Sequence, residues 1–175
     1  MKRLAQIILS VCLCGILGGC GVNGGVSSVP DAETVSQAVQ QPFDAVAEIK
    51  MGGIEATADL NKSEEDVFTF TFTAPKTLSG MTVTMDKENI GLSYLGLHVE
   101  ADSEEVLSSS VTKAIVASIN KAAEPEGITV GVEGTAITVS GETESGEFVL
   151  TLDPRSRSML SLSIPELDLT CHFGG

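Results

Sequence analysis

The chain has no tryptophan and a single tyrosine, Tyr94, with six phenylalanines in 175 residues. Ring stacking on sugars or bases needs aromatic platforms, so a carbohydrate-binding module has little to work with. Basic residues are scarce too: ten Lys and Arg stand against twenty-four Asp and Glu, for a formal net charge of −14. Phosphate backbones are held by basic patches, so nucleic acid is ruled out as a partner.

Catalytic and metal signatures are also lacking. There is no glycine-rich phosphate loop followed by Lys, no His-Glu-x-x-His and no Cys-x-x-Cys. Gly91-Leu92-Ser93-Tyr94-Leu95-Gly96 falls one residue short of a nucleophile elbow and reads as strand with no helix after it. His98, Glu100 and Asp102 share one parity, a set able in principle to hold a divalent ion, but they read more simply as an exposed strand end. His172 and Cys171 point to opposite faces of one strand. Cys171 shares its parity with Leu167, Leu169 and Phe173 and reads as a small core residue, while Glu64-Glu65-Asp66 reads as solvated turn. No catalytic residue, no metal and no dissociable cofactor is expected.

What is present begins at the N-terminus. Lys2 and Arg3 precede an apolar run from Leu4 to Leu17, the layout of a secretory signal. The run is shorter than the ~20 residues a permanent span requires. It ends in Leu17-Gly18-Gly19-Cys20, which resembles the lipobox of bacterial lipoproteins. That resemblance implies cleavage between Gly19 and Cys20 and diacylglycerol and acyl chains (palmitate-type) on the Cys20 sulfur, the best nucleophile among ordinary side chains. More than one chain on a residue makes attachment stable, at about 0.8 kcal/mol per buried CH₂. Cys12 and Cys14 lie in the run and leave with it, so Cys20 and Cys171 remain and no intramolecular disulfide is expected. Loss of Lys2 and Arg3 makes the mature chain two units more negative. Its membrane contact should then be the acyl chains alone, on the extracytoplasmic face of the cell membrane.

The expected layout is a signal peptide over residues 1–19, a lipidated cysteine and flexible tether over 20–41, and one domain over 42–175. Asp31 can cap a short helix carrying Val35, Ala38 and Val39, held only weakly by so few apolar positions and serving as spacer. From Pro42 the period is two. Phe43, Ala45, Ala47, Ile49 and Met51 alternate with charge; Gly52-Gly53 makes a two-residue hairpin into Ile54, Ala56, Ala58 and Leu60. Val67 to Thr73 alternates Phe68, Phe70 and Phe72 with threonines up to Pro75, and Met81, Val83 and Met85 form the next strand. Between Ile90 and Val99 the parity breaks, which implies either a strand covered on both faces or a bulge at Gly96. A helix is predicted over Ser103–Ala123, capped by Ser103, with Leu107, Val111, Ala114, Ile115, Ser118, Ile119 and Ala122 as its buried stripe. Further strands carry Ile128-Val130-Val132, Ile137-Val139, Phe148-Leu150-Leu152, Leu160-Leu162-Ile164 and Leu167-Leu169-Cys171-Phe173. About ten strands and one long helix give an α+β domain: a strongly curved antiparallel meander, an unclosed half-barrel, with the helix packed on its concave face.

The lipobox, the Phe43-to-Pro75 run followed by Leu78-Ser79-Gly80, and Gly146-Glu147-Phe148 through Asp153-Pro154 resemble small anchored lipoproteins of Gram-positive anaerobes. Those are similar in layout to the outer-membrane lipoprotein carrier superfamily, whose fold is an unclosed barrel lidded by helices around an acyl-binding cavity. Two functions stay open. Phe68, Phe70, Phe72, Met81, Val83, Met85 and Ile115 line a concave face that binds a fatty-acyl or other apolar ligand. Alternatively they form a filled core, and the protein is a tethered interaction domain that positions or stabilises another envelope protein.

Overall fold

The structure, a computed structural model, describes residues 29–102 and 110–175. The signal, Gly18-Gly19-Cys20, and Ser103 with Glu104, Glu105 and Leu107 lie outside the described residues. Eleven strands form one antiparallel sheet in the order β6-β5-β4-β3-β2-β1-β11-β10-β9-β8-β7. The N-terminal meander runs through β1 (Phe43–Met51), β2 (Ile54–Lys62), β3 (Phe68–Ala74), β4 (Thr82–Met85), β5 (Asn89–Tyr94) and β6 (Leu97–Asp102). The C-terminal one runs through β7 (Thr129–Glu133), β8 (Ala136–Thr143), β9 (Gly146–Leu152), β10 (Met159–Ile164) and β11 (Leu169–Gly174). Antiparallel pairing of β1 with β11 joins them, with Ile49 opposite Cys171. The sheet stays open, with β6 and β7 as its edges. This is the expected α+β half-barrel.

The alternating strands fold as their periods dictate. Gly52 and Gly53 both take positive φ, 54° and 82°, and set Met51 opposite Ile54. Ala47, Ile49, Ala58, Leu60, Phe68, Phe70, Ile137, Val139, Leu150 and Leu162 are buried on one face. Helix α2 (Val111–Ala122) packs on β8 and β9. Ser110 stands at its N-cap and its hydroxyl makes no capping hydrogen bond, while the predicted cap at Ser103 lies outside the described residues. Of the expected stripe, Ala114, Ile115, Ser118, Ile119 and Ala122 are buried and Val111 is half-buried against the core, while Leu107 lies outside the described residues.

Three expectations change. The stretch 31–41 is not spacer. Asp31 accepts from Thr34 N at 2.8 Å and caps helix α1 (Ala32–Gln40), whose Val35 and Val39 join the core. Ser36 Oγ and Gln40 Nε2 donate to the carbonyls of Ala122 and Ala123, closing the C-terminus of α2. Lys62, at the inward parity of β2 and only 2% exposed, donates from Nζ to Gln40 O at 2.6 Å and pairs with Asp66 Oδ1 at 3.2 Å. A cation at a helix C-terminus is favourable, and here it ties α1 to the sheet. Nine residues with few apolar positions dock because distant polar partners complete them.

The second change is at Ile90–Val99, which is neither a doubly covered strand nor a bulge. It is a hairpin: Leu95 (φ 50°) and Gly96 (φ 82°) form a two-residue turn with Tyr94 opposite Leu97. The turn, not burial, resets the parity. The third is on β10, where Leu160 was expected inward with Leu162 and Ile164. Met159 pairs with Leu152 and Ser161 with Thr151, so Leu160 is an extra, bulged residue, 39% exposed. Leu167 likewise leaves its strand for a 3-10 turn, Pro165–Leu167.

Cys171 is fully buried as expected, and burial pushes its thiol up to about 12 from the ordinary 9.0. The folded state therefore holds this proton where the unfolded chain releases it. The stabilisation is complete below pH 9 and declines as the pH rises from there towards 12, by up to about 1.4 kcal/mol per unit. Native protein at pH 8 should leave Cys171 unlabelled by iodoacetamide, while urea exposes it; rapid native labelling would contradict this burial.

Candidate functional site

The face expected to hold a ligand is occupied by its own side chains. Phe68, Phe70, Phe72, Val83, Met85 and Ile115 are buried members of the hydrophobic core, and Met81 is half-buried against it. The small residues of α2, Ala114, Ser118 and Ala122, are themselves buried, so the helix sits close on its strands. The seven residues come together as core, and none of them lines the cavities described for this surface.

A cavity of about 480 Å³ opens instead at one end of the sheet, where β1 begins, β11 finishes and β10 begins. Its walls are the C-terminal end of α1 with residues 41–45, the segment 156–160, and residues 173–175. Phe43, Met159 and Phe173 give an apolar lining continuous with the core, and Leu160 extends it. The bulge at Leu160 turns that side chain into this space instead of under the sheet. The volume lies within the range of about 300–1,000 Å³ usual for small-ligand sites.

The polar end of the cavity is built by the β9–β10 loop. Asp153 Oδ1 accepts from Arg155 N at 2.8 Å, Ser156 N at 2.7 Å and Ser156 Oγ at 3.0 Å. These bonds hold the Asp153 carboxyl below its ordinary range. Arg157 N donates to Asp153 O and Asp153 N to Ser158 O, which closes the loop. Arg157 is thereby fixed at φ 63°, a backbone region that costs a non-glycine residue about 1 kcal/mol or more. Its Nη1 is buried and donates to nothing among the described residues. Such orphaned donors are rare, because each carries the cost of its lost hydration. Asp44, whose Oδ1 accepts from Asn61 Nδ2 at 2.9 Å, is the acidic group on the rim. A fixed cation with an unused donor beside an apolar wall is suited to an anionic head on an apolar chain.

Sequence reading missed this site because its residues come from three separated segments. The one signal is compositional: in a chain with so few cations, Asp153-Pro154-Arg155-Ser156-Arg157-Ser158 places two arginines two residues apart. The trio His98, Glu100 and Asp102 does lie on β6, with His98 Nδ1 2.8 Å from Ser93 Oγ and Nε2 3.1 Å from Glu100 Oε1. Both ring nitrogens are thus engaged within the hairpin. Among the described residues no helix is long and apolar enough to cross a membrane.

No protein-family model and no curated protein matches the chain. Solved structures do resemble it. An uncharacterized conserved protein from Thermus thermophilus is 14% identical, with 79% of each chain covered and a TM-score of 0.51. The lipoprotein LppX from Mycobacterium tuberculosis is 12% identical over 82% of this chain and 91% of that one, TM-score 0.44. A LolA superfamily protein from Nitrosomonas europaea is 8% identical over 76% and 70%, TM-score 0.40. The likeness is one of fold.

Proposed function

We propose that the protein is an extracytoplasmic lipoprotein, held on the membrane through acyl chains on Cys20, whose body binds an amphiphilic anion. The head, a carboxylate or phosphate monoester, sits against Arg157, and the apolar chain runs along Phe43, Met159 and Leu160. The observation that carries this reading is Arg157, which lines the 480 Å³ cavity and whose Nη1 is a buried donor without a partner among the described residues. A guanidinium–anion hydrogen bond is worth roughly 1.5–3 kcal/mol, and each buried methylene of the chain adds about 0.8 kcal/mol. The function is binding; no step of bond chemistry is assigned to these residues.

Native mass spectrometry of residues 20–175 carrying Cys20→Ser, which lack both the signal and the acylated thiol, tests it without interference from either. A co-purified or added C12 carboxylate should appear as a one-to-one adduct that acid denaturation removes. Apo protein at every ligand concentration would contradict the proposal. The anchor is tested separately: Cys20→Ser should abolish labelling by a clickable fatty acid and block cleavage after Gly19. Equal labelling of the variant, or wild-type protein free of the membrane fraction, would rule the anchor out.

A further inference from the structure

The edge hairpin exposes an apolar surface that the cavity reading does not use. Leu92 opposes Val99 and Tyr94 opposes Leu97, so these four side chains share one face with Ile90, which is buried at its core end. Outward from Ile90 that face becomes solvent-exposed, with Leu97 72% and Val99 58% exposed and Leu95 84% exposed at the turn. Beside it runs β6, whose outer side pairs with no strand among the described residues. Open, apolar edge strands are docking sites unless they are blocked. At the opposite edge, β7 has α1 packed against it.

We propose that β6 pairs antiparallel with β6 of a second copy, with Val99 on the two-fold axis. The backbone supports one register. A two-residue hairpin turn makes Tyr94 and Leu97 a hydrogen-bonded pair, so Leu97, Val99 and Ala101 turn their main-chain groups towards β5. His98 and Glu100 therefore turn theirs to the open edge. With Val99 opposite Val99 of the second copy, His98 falls opposite Glu100 and Glu100 opposite His98, so each copy's free N–H and C=O groups meet the other's. The side chains agree with the backbone. His98 and Glu100 already bond within one chain, Nε2 to Oε1 at 3.1 Å, and across the axis they form two mixed pairs on the outer face. On the inner face Val99 meets Val99, and Leu97 meets Ala101. A shift of one pair in one direction sets Glu100 against Glu100, and in the other sets His98 against His98, so like groups oppose the alternatives. Self-complementarity of this kind is what a two-fold interface requires. Confinement of both copies to one membrane raises their effective concentration and offsets a contact of modest area.

Cysteine crosslinking on the full lipoprotein in native membranes reads the register. Val99→Cys places two thiols at a non-hydrogen-bonded pair with Cα atoms about 4.5 Å apart, within disulfide range. His98→Cys lies on the same exposed edge but opposite Glu100, out of reach of its own copy. Copper-phenanthroline oxidation should give a disulfide-linked dimer for Val99→Cys about tenfold faster than for His98→Cys. Equal rates, or no dimer from Val99→Cys, would overturn the proposal. Sedimentation of residues 20–175 carrying Cys20→Ser gives an independent check. Adding Glu100→Lys should shift it towards monomer, and the exchange His98→Glu with Glu100→Lys should restore the dimer. Failure of the exchange to restore a lost dimer, or a monomeric parent chain at high concentration, would also overturn it.

Discussion

Ile115→Asp should lower the unfolding free energy by about 4 kcal/mol, enough to bring the domain close to global unfolding at ambient temperature. Ile115 is fully buried at the centre of α2, which lies on β8 and β9. Substitution removes roughly 2 kcal/mol of apolar burial and places a carboxylate in that buried stripe. Protonation of the new carboxyl would recover part of the loss below pH 5, so the deficit should widen as the pH rises through neutrality. Asn120→Asp on the exposed side of the same helix is the control and should stay within about 0.5 kcal/mol of wild type. Urea midpoints decide between them. Equal small shifts would mean that α2 is not docked on the sheet.

Arg157→Leu should weaken binding of the C12 carboxylate by about 10- to 100-fold and leave the fold as stable as before, or slightly more so. The two effects have one cause. In the free protein Arg157 Nη1 is a buried donor without a partner, so deleting it removes a desolvation cost and breaks no hydrogen bond. In the complex the same group would make the charge-assisted bond to the head. Arg157→Lys, which keeps the charge but loses the planar fork, should fall between wild type and Arg157→Leu. Isothermal titration with melting curves on the same samples measures both quantities. A destabilised Arg157→Leu of unchanged affinity would make Arg157 a structural residue and empty the site of its polar end.

Much of the sheet was legible in the sequence because strict alternation leaves little choice of face. Phe68, Phe70 and Phe72 against three threonines, and Gly52-Gly53 between two alternating runs, set their strands and the first hairpin register. Where the reading failed, the phase was reset at one point, whose cause at Leu95-Gly96 was not legible and whose presence at Leu160 had no local mark. Leu95 at φ 50° carries a turn that leucine does not advertise, and Leu160 is an inserted residue in a run that alternates correctly when written as letters. Helix α1 was legible as a helix, down to its Asp31 cap. Its docking was not, because the groups that hold it, Ala122 O, Ala123 O and the Lys62 ammonium, lie far away in the chain.

The candidate site was the least legible part, for the same physical reason. The seven core-facing residues were correctly placed inward, but inward side chains of this bulk close the space they face. The open space lies at the sheet end, where α1, the Asp153–Ser158 loop and β11 meet, and only tertiary packing brings these together. An expressed body must for this reason begin ahead of Asp31, not at Pro42, because removing α1 removes one wall of the cavity.

The most direct measurement is a backbone amide chemical-shift titration of residues 20–175 carrying Cys20→Ser with a C12 carboxylate. Saturable shifts should concentrate in residues 38–45, 156–160 and 173–175, with Phe68, Phe70, Val83 and Met85 unmoved. Shifts centred on β3 and β4, or no saturable shift at any residue, would contradict it.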